Sequence, residues 1–164
     1  MKRKALALRL TRGAMIGALY VALTYVATLF SLSSGAIQFR ISEMLTILPV
    51  FMPEAIVGLF IGCIISNVMA AAIPLDILFG SLATLIGALG AYMLRKLPRV
   101  LMWIATLPTI LANAIIVPFV LIYAYGAPDA YIYLFATVCL GEVVCAGIGG
   151  SILYYSIKRA KIRF

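Results

Sequence analysis

The sequence predicts an all-α polytopic membrane protein, and three observations carry that expectation. Of 164 residues 65% are apolar and only 11% are charged, whereas a soluble domain is about half apolar and about a quarter charged. The mean hydropathy of +1.17 is more apolar surface than a chain this short can hide from water, so lipid is its expected solvent. Of the 13 basic residues, five lie at 2–12, three at 95–99 and four at 158–163. Those clusters flank apolar runs as the positive-inside rule requires, and they do not form a nucleic-acid surface. Arg40 is left alone.

Residues 13–33 form the first span. The lead before them, MKRKALALRLTR, has the charge of a signal peptide, but the apolar run is longer than a signal core and more spans follow. Later spans are expected at 77–94, 99–124 and 130–157. The block 41–73 is settled by charge: two crossings, and not one, leave all three basic clusters on the cytoplasmic side. PVFMPE (49–54) supplies the break, since Pro49 and Pro53 interrupt helix hydrogen bonding and Pro53–Glu54 suits a helix start. The expectation is a single domain, 1–164, of six helices at 13–33, 41–52, 54–73, 77–94, 99–124 and 130–157, with both termini on the cytoplasmic side. The second helix, rising about 18 Å as an α-helix, cannot bridge about 30 Å of hydrocarbon. SLSSGAIQFR (31–40) must then enter the membrane as irregular backbone, which is tolerated only where protein buries it or a cavity is lined.

At that junction stands FRISEML (39–45), with Arg40 and Glu43 in an otherwise uncharged region. Glu43 lies in the first turn of the short helix, where the macrodipole favours a carboxylate. The pair marks the mouth of a water-accessible pocket on the outer side, closed by residues 31–42; the alternative is a mutual ion pair snorkelling to the interface. Helical rise places Asn67 about 20 Å along its span, Asn113 about 21 Å and Glu142 about 18 Å, the last close to mid-membrane. Asp76 sits at the outer entrance of the fourth helix. A carboxylate such as Glu142 costs roughly 2.5–3.5 kcal/mol or more near the bilayer centre and is read as functional; the alternative is a protonated Glu bonded to a neighbouring helix. For Asn67 and Asn113 interhelical packing competes, and for Asp76 an N-cap role.

Other chemistry finds no residues. There is no histidine, no GxxxxGK[ST] and no nucleophile–base pair, and the three cysteines (Cys63, Cys139, Cys145) lie in apolar runs without CxxC spacing. No cofactor, metal or catalytic residue is expected, and ATP-driven work would come from other subunits. Tyrosines near the span ends fit interface belts. In GAMIGALYVA (13–22), Gly13 and Gly17 make one small-xxx-small pair, and Ala14, Ala18 and Ala22 make a second ridge. Spacing leaves open whether the partner helix is in this chain or another; for the similar Gly58 and Gly62, internal packing is expected.

FRISEMLTILPVFMPEAIVGLFIGC (39–63), DILFGSLATLIGAL (76–89) and the Gly141–Glu142 pair resemble the QueT family, the queuosine-precursor S-components of energy-coupling factor (ECF) transporters. The resemblance covers essentially the whole chain. It implies the six-helix S-component fold in the bacterial cytoplasmic membrane and a 7-deazaguanine ligand, the 7-aminomethyl base or queuine. It also implies work with a transmembrane coupling subunit and two ATPase subunits. Ala14, Ala18 and Ala22 match the ridge that S-components present to the coupling subunit. Glu43 and Glu142 would divide the guanine-like edge and an amine between them, Asn67 and Asn113 would read ring acceptors, and Arg40 would steady Glu43 or bind the O6 carbonyl. A stand-alone carrier would need repeats or a polar path through both membrane halves, and neither is visible in the sequence. An S-component for another vitamin-like compound is the nearer alternative.

Overall fold

The computed structural model describes residues 2–30 and 39–162. Most of SLSSGAIQFR, and with it the expected membrane-entering backbone and pocket closure, lies outside the described residues. Within them the chain is entirely helical: α1 Lys2–Leu29, α2 Ile41–Val50, α3 Glu54–Met69, α4 Pro74–Met93, α5 Arg99–Tyr123 and α6 Tyr131–Arg159. Four helices (α1, α4, α5 and α6) are long and apolar enough to cross a membrane; α2 and α3 are shorter. α1 begins at Lys2, well before residue 13, because Ala, Leu, Lys and Arg in the basic lead are all strong helix formers.

α2 is the centre of the bundle and packs against all five other helices. It is a 3₁₀ helix, not the expected α-helix, so its ten residues rise about 20 Å, still short of a crossing. With three residues per turn its side chains fall into three rows. Leu45 and Leu48 join a core with Ile16, Tyr20, Leu59 and Cys63. Ile47 packs with Met102, Ala105 and Tyr154. The third row, Glu43, Thr46 and Pro49, is buried as well. A short helix enclosed on every side is how this fold carries a carboxylate into its interior.

Two seams hold that centre in place. Along α1 and α3 the glycines face one another: a Cβ built on Gly17 would lie 2.9 Å from the Gly58 carbonyl oxygen, and one on Gly62 would lie 2.8 Å from that of Gly17. Only residues without a side chain permit that approach, and Arg12 adds an ion pair to Glu54 at 3.6 Å. Ala14, Ala18 and Ala22 lie on another face of α1 and are exposed. In α6, regular α-helix through Glu142 gives way to a π-helical stretch over Val143–Gly149 before α-helix resumes at Gly150. Gly149 and Gly150 there sit against Met44 of α2. Such wide turns are rare and often adjoin functional groups.

Candidate functional site

The six polar residues singled out in the sequence gather at one end of the bundle, where α1, α3 and α5 finish and α4 begins, but in two tiers. The upper tier is a cavity of about 510 Å³, walled by the last turns of those helices and by Ala70, Ala71 and Ala72. Its lining includes Arg40, Asn67, Asp76 and Tyr20. Arg40, Asn67 and Asp76 surround Gly80, where an added Cβ would meet Asn67 Nδ2 at 3.1 Å, Asp76 Oδ1 at 3.5 Å and Arg40 Nη1 at 3.7 Å. The missing side chain of Gly80 is what lets three helices bring polar groups together.

Asp76 is not the cap of α4. The N-cap is Ile73, without any side-chain cap bond, and Asp76 instead accepts a hydrogen bond from the Tyr125 hydroxyl at 2.9 Å. The Tyr125 oxygen in turn accepts from the Ile73 N–H at 3.4 Å, so the loop after α5 is tied across the cavity rim to the start of α4. Burial first, and then the bond to Asp76, push the Tyr125 hydroxyl above its ordinary pKa. Asn67 Nδ2 lies 3.7 Å from Cys63 Sγ. Arg40 and Glu43 form no ion pair with each other; the guanidinium feels Asp76 more strongly than Glu43.

The lower tier lies beneath a floor that includes Tyr20 and Val117. Glu43 is fully buried; the Tyr20 hydroxyl donates to its Oε1, and Thr84 Oγ1 donates to the same oxygen at 3.1 Å. A line of hydroxyls anchors the α2 backbone here: Thr46 donates to the Glu43 carbonyl at 2.6 Å, Thr109 donates to Thr46 at 3.0 Å and Thr24 donates to Ser42 at 2.8 Å. Beside Glu43 stand Asn113, one turn from Val117 on α5, and Glu142 on α6. Asn113 is close enough to interact with both carboxylates, yet no pairing has hydrogen-bond geometry. Glu43 Oε2, Glu142 Oε2 and both amide atoms of Asn113 are buried without a partner. Each unsatisfied buried polar group costs about 1–3 kcal/mol, more when charged, so folding alone gives no reason for these atoms to converge.

The sequence offered little sign of three of these contributors. Tyr20 stands out only as a tyrosine deep within a span and away from any interface belt. Thr84 and Gly80 carry no signal at all, because their roles depend on which helix faces them.

Long apolar helices around a cavity that holds Arg40, Asn67 and Asp76 define a multi-pass membrane protein. A family model described as QueT transporter matches residues 10–159, and the chain belongs to that family. It is similar to the Queuosine precursor transporter QueT of Lactococcus lactis subsp. cremoris (strain MG1363), 31% identical over 156 residues that cover 91% of this chain and 92% of the relative. No solved structure gives a significant match.

Proposed function

We propose that this chain is the substrate-binding S-component of an ECF transporter, and that it binds a queuosine precursor, a 7-deazaguanine such as the 7-aminomethyl base or queuine. The observation that carries the reading is the convergence of unpartnered atoms of Glu43, Asn113 and Glu142 under a cavity that already holds Arg40, Asn67 and Asp76. Family membership and the substrate named for the relative support it. A guanine-like edge presents adjacent N–H donors that one carboxylate accepts as a pair, and an aminomethyl group is a cation for the second. The ligand enters through the upper tier and reaches the lower one when Tyr20 yields its bond to Glu43, ligand N–H groups replacing it. Arg40 faces the O6 carbonyl, and Asn67 and Asn113 the ring acceptors.

Six crossings with both termini inside place the cavity on the outer face, so the ligand is captured there. No bond of the ligand is made or broken; the chain binds and translocates, and is not an enzyme. A coupling subunit, docked on Ala14, Ala18 and Ala22, and two ATPase subunits supply the work of release inside.

Calorimetric titration of the purified protein with the 7-aminomethyl base, queuine and guanine tests this reading. A deazaguanine should bind more tightly than guanine, and Glu142→Gln should weaken it by about tenfold to a hundredfold through loss of a charge-assisted bond. Unchanged affinity would remove Glu142 from the site. Failure of both deazaguanines to bind would dismiss the substrate.

A further inference from the structure

A second hollow lies away from these polar tiers. A groove of about 670 Å³ runs between the first half of α5 and the second half of α6, lined among others by Trp103, Ile110, Ile148, Ile152 and Tyr155. It starts beside Val143, next to the buried Glu142, and ends at Arg159. That is 17 residues of α6, roughly 24 Å at helical rise. One lipid leaflet has about 15 Å of hydrocarbon and about 6 Å of headgroup, so the groove has the depth of one leaflet and not of a transmembrane helix. Gly147, in the π-helical stretch, lies against Ile110, whose Cδ1 would be 3.4 Å from an added Cβ. Ile148 and Ile152 are 55% and 61% exposed on its wall.

The two ends of the groove differ in chemistry. The end beside Val143 is hydrocarbon. The opposite end carries Arg159 and Ser156, with Arg99 alongside, held by the bond from the Tyr155 hydroxyl to the Arg99 carbonyl at 3.1 Å. Trp103 and Tyr155 stand on the walls, residues that favour the headgroup boundary. Among the described residues no carboxylate pairs with Arg159 or Arg99. An apolar trough left empty forfeits its dispersion contacts, and a cation at a membrane surface attracts anionic headgroups.

We propose that this groove is a binding site for one anionic phospholipid of the leaflet on the side of the basic clusters, with an acyl chain along α6 and its phosphate on Arg159. Native mass spectrometry of the detergent-purified protein, titrated with phosphatidylglycerol and with phosphatidylcholine of the same chains, tests it. One copy of phosphatidylglycerol should be retained in preference to phosphatidylcholine. Arg159→Gln should reduce that retention roughly fivefold, as expected for one charge near the surface. Ile152→Trp, which fills the trough from an exposed position, should reduce retention of both lipids. Equal retention of the two headgroups, or retention of phosphatidylglycerol that neither variant changes, would overturn the proposal. So would loss of coupling-subunit association in Ile152→Trp with lipid retention intact, because the groove would then belong to a protein partner.

Discussion

At the residue scale, Glu43 is held through one carboxylate oxygen, with Tyr20 and Thr84 as donors, while the other oxygen has no partner. Tyr20→Phe withdraws one donor from a buried acid and should lower stability by about 1–2 kcal/mol, read as a fall in the detergent-solubilised unfolding midpoint. An unaltered midpoint would mean that Thr84 alone satisfies the acid. Tyr125 is a second case. Its hydroxyl is raised in the folded protein by burial and by Asp76. The stability it contributes is therefore complete below about pH 10, where a free tyrosine begins to ionise, and is lost as pH climbs through the folded value. A spectrophotometric titration of the protein minus that of Tyr125→Phe should show one phenol ionising later than free tyrosine. A difference curve at the free value would break the link to Asp76.

At the scale of elements, the two faces of α1 predict opposite outcomes from similar substitutions. Gly17 faces the Gly58 carbonyl across a gap too narrow for a side chain. Gly17→Val should cost about 1–3 kcal/mol or more through overpacking, which unbuilds the α1–α3 seam. Ala18→Leu, one residue along on the exposed face, should leave unfolding within about 0.5 kcal/mol of the parent. Equal effects on the unfolding midpoint would refute the assignment of the glycine face to internal packing. The same contrast explains why α2 tolerates its short length: it is supported by α1, α3, α4, α5 and α6 and needs no reach of its own.

At the scale of the whole molecule, the exposed alanines and the polar tiers are separate surfaces. If α1 docks a coupling subunit, Ala14→Leu with Ala18→Leu should leave ligand affinity in the purified protein unchanged while abolishing uptake by cells that carry the partner subunits. Uptake at the parental rate would refute that role for the ridge. If the chain crosses six times as proposed, both ends lie inside, and single cysteines at Lys4 and Lys161, in a background free of other cysteines, should react with an impermeant thiol reagent only after the membrane is opened. Labelling of one from outside would demand an odd number of crossings.

Composition and charge placement by themselves determined that this chain lives in lipid, where its long apolar helices run, and that a short helix begins within FRISE, because transfer free energy acts on each residue wherever its neighbours lie. Arg40, Glu43, Asn67, Asp76, Asn113 and Glu142 were legible for the same reason: polar groups are costly in hydrocarbon and stand out along a line. Only the tertiary structure decided that they divide into an open tier and a closed one with Tyr20 between them. Only it made α2 a 3₁₀ helix and Asp76 a partner of Tyr125 instead of a cap. Those outcomes depend on which helix faces which, across separations such as the 63 residues between Thr46 and Thr109, and no local pattern encodes a contact between distant segments.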